Sequence, residues 1–212
     1  MFDLSGKAAL ICGGSGGLGK GIAASLAKAG ANVVLSGRSK NKLDLAVDEV
    51  ATQTDTKIIG IQADITKPRD VNFLINTTID MFGKIDILVN SAGLNIRKPA
   101  IEVNEEDWDY LMNVQLKSVF FTCQQVAIHM IEKNIKGKII NLASLTSVIA
   151  PKNIVIYSIA KGGITQLTKG FAVELAEYGI NVNAIGPGYF KTDLTRALFD
   201  DEDSYKKILY RI

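Results

Sequence analysis

The feature that most restricts the fold is an alternation of short, continuously apolar, β-branched runs with longer segments of helical periodicity. Six strand candidates lie at residues 8–12, 32–36, 57–63, 85–90, 137–142 and 180–185. Their apolar residues do not alternate with polar ones, so these strands are expected to be covered on both faces. Helical patterns fill the intervals, near 18–29, 40–52, 69–82, 105–133 and 155–178. Gly30, Gly83, Gly137 and Gly179 follow the helix ends, where glycine takes left-handed torsions at little cost. Strands alternating with helices predict an α/β fold: a doubly wound parallel sheet of the Rossmann type, with right-handed crossovers and helices on both faces. No linker, repeat or low-complexity stretch divides residues 1–212, so a single domain is expected.

Composition removes several functional classes. A hydrophobic fraction of 47% with 22% charged residues excludes a disordered tail and a collagen. Lys plus Arg is 24 against 22 acids, a net charge of +2 spread along the chain, so neither nucleic acid nor an anionic membrane is an expected partner. The two cysteines, Cys12 and Cys123, read as buried thiols of a reducing cytoplasm rather than a disulfide. One histidine, His129, reads as a helix-flank residue, and with no Cys or His cluster no metal site is expected. The N-terminus lacks a signal-peptide pattern, and no uncharged apolar run is long enough to span a bilayer. A cytoplasmic location follows.

The first strand runs into Cys12-Gly13-Gly14-Ser15-Gly16-Gly17-Leu18-Gly19 and a helix follows. Glycine is entropically costly, so five within eight residues point to a backbone that turns tightly and meets a ligand without an intervening Cβ. The helix start offers free N–H groups and a positive dipole end to a phosphate. In this position the loop predicts a dinucleotide site contributed by Gly13, Ser15, Gly16, Gly17, Leu18 and Gly19. The second strand ends Ser36-Gly37-Arg38-Ser39. Gly37 stands where an NAD-selecting acid is expected, and the Arg38 guanidinium suits a 2′-phosphate, so Ser36, Arg38 and Ser39 predict NADP in preference to NAD.

Further motifs follow in order: Asn90-Ser91-Ala92-Gly93, then Ser144, then Tyr157-Ser158-Ile159-Ala160-Lys161, then Pro187-Gly188-Tyr189-Phe190-Lys191-Thr192. With Gly13, Gly17 and Gly19, this set resembles the short-chain dehydrogenase/reductase family along essentially the whole chain. The resemblance implies an NAD(P)-dependent oxidoreductase that transfers a hydride between nicotinamide and a carbonyl or secondary alcohol. Tyr157 and Lys161, four residues apart, share a helix face, and a neighbouring ammonium is expected to bring the phenol toward the working pH. Tyr157 then exchanges the proton with the substrate oxygen, and Ser144 hydrogen-bonds that oxygen. The resemblance further assigns Lys161 to the nicotinamide ribose and Asp64 and Ile65 to the adenine. It places Asn90, Ala92 and Gly93 beside the adenosine ribose, and Pro187, Gly188, Phe190 and Thr192 over the nicotinamide. Ser91 replaces the family's commoner asparagine.

The fourth active-site position of the family is an asparagine seven residues after a tryptophan, which normally helps hold a water chain to the lysine. Counting from Trp108, Gln115 occupies it, while Asn113 points elsewhere on the helix. Gln115 keeps the amide but adds a methylene, and reduced turnover relative to Gln115→Asn is expected. The chain looks most like sugar-acid dehydrogenases of the gluconate 5-dehydrogenase type, in which Arg97 pairs with a substrate carboxylate or is simply an exposed loop arginine. Residues 145–156 and 189–205 are expected to flank the pocket, the acidic run Asp200-Asp201-Glu202-Asp203 being a lid or a solvated helix start. A 3-oxoacyl thioester reductase and a non-catalytic dinucleotide-binding regulatory protein are the competing readings. Related chains continue through another helix, a seventh strand and a tail, so the last strand is expected to be lacking and the C-terminal end truncated. Family members commonly pair through the helices matching 105–133 and 155–178, which implies a homodimer or homotetramer.

Overall fold

The computed structural model describes residues 2–192 and 195–209. In chain order the elements that place the site are β1 (Ala8–Cys12), α1 (Gly17–Lys28), β2 (Asn32–Gly37), α2 (Lys40–Ala51), β3 (Ile58–Gln62), α3 (Pro68–Phe82) and β4 (Ile87–Asn90). There follow α4 (Glu105–Met112), α5 (Ser118–Glu132), β5 (Lys138–Leu142), α6 (Val155–Glu174), β6 (Asn181–Ile185), α7 (Arg196–Asp200) and α8 (Glu202–Leu209). The strands form one parallel sheet in the order β3-β2-β1-β4-β5-β6. The order reverses between β1 and β4, which opens a crevice at the carboxyl ends of these strands. Register brings those ends level: Cys12 faces Ser36 and Asn90, and Asn90 faces Asn141.

The pleat sends alternate residues of β1 to opposite faces. Leu10 and Cys12 join a core closed by α3, α5 and α6, through Leu74, Cys123 and Ile164. Ala9 and Ile11 join a second core closed by α1 and α2, through Ala23, Ala27 and Leu43. The central strands are covered on both faces, as their apolar runs predict. The edge strand β6 is not, because Asn183, Ala184 and Ile185 are exposed. Cys12 and Cys123 are free thiols in the core, and burial pushes both up to about 12. Among the described residues no helix is long and apolar enough to cross a membrane.

Two helix boundaries depart from the sequence pattern. The single helix expected over 105–133 is interrupted at Asn113–Lys117 by a π-helical turn, in which the Ser118 N–H reaches back to the Asn113 carbonyl. The Ser118 and Thr122 hydroxyls donate to the Val114 and Ser118 carbonyls at 2.7 and 2.8 Å, the kind of bond that loosens a helical ladder. After α5 the left-handed residue is Asn134 (φ 51°), not Gly137. Gly137 is required instead for space, since a Cβ there would lie 2.2 Å from the Met130 sulfur. Gly83 and Gly179 do take left-handed torsions, at φ 74° and 71°.

His129 is buried on α5, where its Nε2 accepts from the Ile85 N–H at 3.3 Å just before β4. Burial, then the Lys133 charge, hold its pKa below 6.5. The folded chain therefore binds this proton less readily than the unfolded chain. The stability due to neutral His129 is complete above pH 6.5 and is lost as the pH falls below it. Thermal midpoints measured from pH 7.5 to 5 should decline for the native protein, with a shallower slope for His129→Gln.

Candidate active site

The crevice is built first by steric necessity. A Cβ on Gly13 would lie 2.4 Å from the Ala92 nitrogen, and one on Gly19 would lie 2.3 Å from the Gly13 carbonyl oxygen. These glycines pack the end of β1 against the chain after β4 and against α1. Gly13 and Gly14 both donate N–H groups to the Ser36 carbonyl at 3.0 Å. Gly16 differs: nothing lies within 4 Å of its Cβ position. As the N-cap of α1 it supplies no side chain, and the first turn carries no acid. The first intrahelical bond runs from the Lys20 N–H to the Gly16 carbonyl, so the Gly17, Leu18 and Gly19 amides precede it. An uncapped, acid-free helix start facing open space fits the pyrophosphate of a dinucleotide.

At the end of β2, a Cβ on Gly37 would lie 2.7 Å from the Ser15 hydroxyl oxygen, so the Ser15 side chain fills the space an acid would use. Arg38 is exposed, and its Nη1 donates to Tyr110 Oη at 3.3 Å. The neighbouring serines turn to structural work. Ser36 is fully buried beside the Cys12 thiol, and the Ser39 hydroxyl caps α2 by accepting from the Lys42 N–H. Asp64 accepts from the Thr66 N–H and hydroxyl at 3.0 and 2.7 Å. Burial opposes its ionisation, but these bonds and the Arg38 and Lys67 charges outweigh it and hold the carboxyl low. Ile65 packs against the core. The Asn90 side chain turns away from the crevice, donating to Asn141 Oδ1 at 2.9 Å, and Asn141 donates on to Thr168 Oγ1 at 3.0 Å. Only the Asn90 backbone remains at the strand end.

Ser144 follows β5 and starts a short turn whose geometry is reciprocal. Its hydroxyl accepts from the Thr146 N–H at 3.1 Å, and its own N–H donates to the Ser147 hydroxyl. Ser147 donates in turn to the Lys161 carbonyl at 2.9 Å, tying the turn to α6. Ser147 was legible as the far end of a Ser-x-x-Ser capping pair, but its link to α6 was not. On α6, Lys161 Nζ lies 5.7 Å from the Tyr157 ring centre and donates to the Leu142 carbonyl at 2.6 Å. The ammonium is 5% exposed, and burial pushes its pKa down to about 8.

The expected lowering of the Tyr157 pKa is overturned. Burial raises it; the Ser144 hydroxyl and the Arg97 charge pull it down but do not prevail, and Lys161 is not among the causes.

Gln115 is buried in the π-helical turn, donates its amide to the Leu94 carbonyl, and lies 3.0 Å from the Gly93 Cβ position. Arg97 is exposed without an ion pair to a described carboxylate, yet its charge acts on Tyr157. Buried polar atoms without partners occur on both flanking segments, at Asn95 Oδ1 and Thr146 Oγ1. The Pro187 carbonyl accepts from the Leu145 N–H at 3.0 Å, Gly188 has open space, and Phe190 is exposed. Thr192 reaches α1, its methyl 2.7 Å from the Gly17 Cβ position. The acidic run ends α7 and starts α8, with Asp200 paired to Lys191 at 3.0 Å. Residues 193–194 and 210–212 lie outside the described residues.

A parallel sheet with a glycine-lined phosphate cradle and a Ser, Tyr and Lys beyond it defines a nucleotide-dependent oxidoreductase. The chain belongs to the short chain dehydrogenase family, whose model matches residues 7–203. It is 40% identical over 211 residues to the 2-dehydro-3-deoxy-D-gluconate 5-dehydrogenase of Dickeya dadantii, covering 100% of this chain and 82% of that protein. It is 39% identical over 208 residues to the gluconate 5-dehydrogenase of Gluconobacter oxydans, covering 96% and 78%. A gluconate 5-dehydrogenase from Burkholderia cenocepacia, solved in complex with NADP and tartrate, superposes with a TM-score of 0.92 at 38% identity, covering 99% and 82%.

The buried ammonium carries a cost that depends on pH. Lys161 titrates near 8 when folded against 10.5 for a free lysine, a difference of about 3 kcal/mol at 1.36 kcal/mol per unit. The folded state resists the proton, so the cost is full below pH 8 and fades as pH rises to 10.5. Urea denaturation should show the stability of Lys161→Met exceeding that of the native chain most below pH 8, with the gap closing by pH 10.5.

Proposed function

We propose that the protein is an NADP-dependent oxidoreductase that interconverts a ketone and a secondary alcohol of a sugar acid. The observation that carries this reading is an exposed Arg97, with no ion pair among the described residues, acting on Tyr157 beside Ser144. When bound, the nicotinamide supplies a hydride to the substrate carbon or accepts one from it. The Gly17 to Gly19 amides hold the pyrophosphate, and Arg38 holds the 2′-phosphate. The Ser144 oxygen accepts from the Thr146 N–H, so its hydrogen, directed toward Tyr157, serves as the donor that fixes the substrate oxygen in place. Tyr157, kept protonated by burial, donates its proton to that oxygen during reduction and recovers it in the reverse direction. Reduction is thus the direction this phenol serves best near neutral pH. Arg97 pairs with the substrate carboxylate. Hydroxy acids in the names and bound ligand of the relatives support the substrate class.

NADPH oxidation should be measured against 5-keto-gluconate and the carboxylate-free ketose fructose, and NADP reduction against 2-dehydro-3-deoxy-gluconate. Tyr157→Phe is expected to lower kcat/KM by roughly 10² to 10⁴, the range for a lost general acid. Arg97→Ala is expected to raise KM for the keto acids and to leave fructose unchanged. An equal effect on both classes contradicts the assigned role of Arg97, and indifference to every keto acid contradicts the reading.

We also infer that two copies pair through α5 and α6. Phe120, Phe121, Ile128 and Val173 are exposed together on these helices, more apolar surface than an isolated chain ordinarily leaves uncovered. Sedimentation velocity should give a dimer or tetramer, and Phe121→Glu should shift it toward monomer.

A further inference from the structure

Arg38 and Tyr110 are separated by 72 residues and meet across the adenosine end of the crevice. Their contact joins two elements that are fixed independently. On one side, Gln62 at the end of β3 donates its side-chain amide to the Arg38 carbonyl at 2.8 Å, holding the backbone from which the guanidinium extends. On the other, α4 is pinned at its start and at its inner face. Asn104 and Asp107 cap it reciprocally, and Lys98 pairs with Asp107. Leu111 is fully buried against Ile156 and Ala160 of α6. With Leu111 turned inward, its neighbour Tyr110 is left half-exposed, and its hydroxyl accepts from Arg38 Nη1 at 3.3 Å.

We propose that Tyr110 is a positioning residue that holds Arg38 ready for a 2′-phosphate and so sets the preference for the phosphorylated cofactor. The inference rests on the NADP reading given above. An arginine side chain loses rotamer freedom when it binds, and a partner that orders it beforehand removes part of that cost. One of five N–H donors goes to Tyr110, which leaves the guanidinium able to meet a phosphate. Asp64 attracts Arg38 but is engaged by Thr66, so Arg38 is not neutralised by a direct ion pair with it. Gly37 completes the arrangement: it carries no ribose-binding acid, and the Ser15 hydroxyl lies 2.7 Å from where its Cβ would be. Selectivity thus combines exclusion of the acid with orientation of the base.

The test is calorimetric titration of the whole chain with 2′,5′-ADP and with 5′-ADP. Wild type, Tyr110→Phe, Arg38→Ala and the double variant should be compared, with thermal midpoints recorded for each. Wild type is expected to favour 2′,5′-ADP. Tyr110→Phe should weaken 2′,5′-ADP by roughly three- to tenfold, the worth of one exposed hydrogen bond to a charged group, and leave 5′-ADP unchanged. In the Arg38→Ala background the same substitution should have no further effect. A wild type that favours 2′,5′-ADP while Tyr110→Phe changes nothing, or weakens both ligands alike, overturns the role of Tyr110 alone. A wild type indifferent to the 2′-phosphate overturns the NADP reading itself.

Discussion

At Gly13 the end of β1 passes so close to the chain after β4 that a single methyl group would sit 2.4 Å from the Ala92 nitrogen. That approach is available only to glycine, and the rest of the crevice is referred to it. It sets the height of α1, through the Gly13 carbonyl against Gly19, and so the place where the uncapped amides of α1 point. It also sets the position of the segment from Gly93 to Arg97, because that segment leaves from Ala92. Both halves of the crevice, the glycine-lined start of α1 and the loop carrying Arg97, diverge from one backbone contact.

The opposite wall is secured by polar bonds instead of steric fit. Asn90, Asn141 and Thr168 link β4, β5 and α6 beneath the site, while Ser144 and Ser147 link β5 to α6 at its rim. Lys161 is held between them on the Leu142 carbonyl, at a cost in ionisation that only a densely bonded surround can sustain. Burial dominates both titrating groups, raising Tyr157 and lowering Lys161. The site therefore keeps its acid protonated and its ammonium close to losing a proton, a balance suited to delivering a proton to a carbonyl oxygen.

Much of this was legible in the residues. The parallel sheet follows from continuous apolar runs alternating with helical periodicity, and the Tyr157 and Lys161 spacing places both on one helix face. What escaped were contacts between segments remote in sequence. Gly137 reads as a helix stop, yet Met130 packs where its side chain would be, and Asn134 takes the left-handed turn. Gln115 aligns with a relay position, but neither the π-helical turn that carries it nor its bond to Leu94 has a signal in the spacing. The effect of Lys161 on Tyr157 was overestimated because spacing reports proximity and not desolvation. The meeting of Arg38 with Tyr110 has no local signal at all.

In the proposed complex one crevice holds a 2′-phosphorylated dinucleotide on Arg38 and a sugar acid on Arg97, with the reacting oxygen between Ser144 and Tyr157. A crystal structure of the protein with NADP and gluconate should show the 2′-phosphate on Arg38, the carboxylate on Arg97, and one substrate hydroxyl within hydrogen-bonding distance of both Ser144 Oγ and Tyr157 Oη. A carboxylate turned to solvent with Arg97 unengaged, or a hydroxyl out of reach of Tyr157, would contradict it.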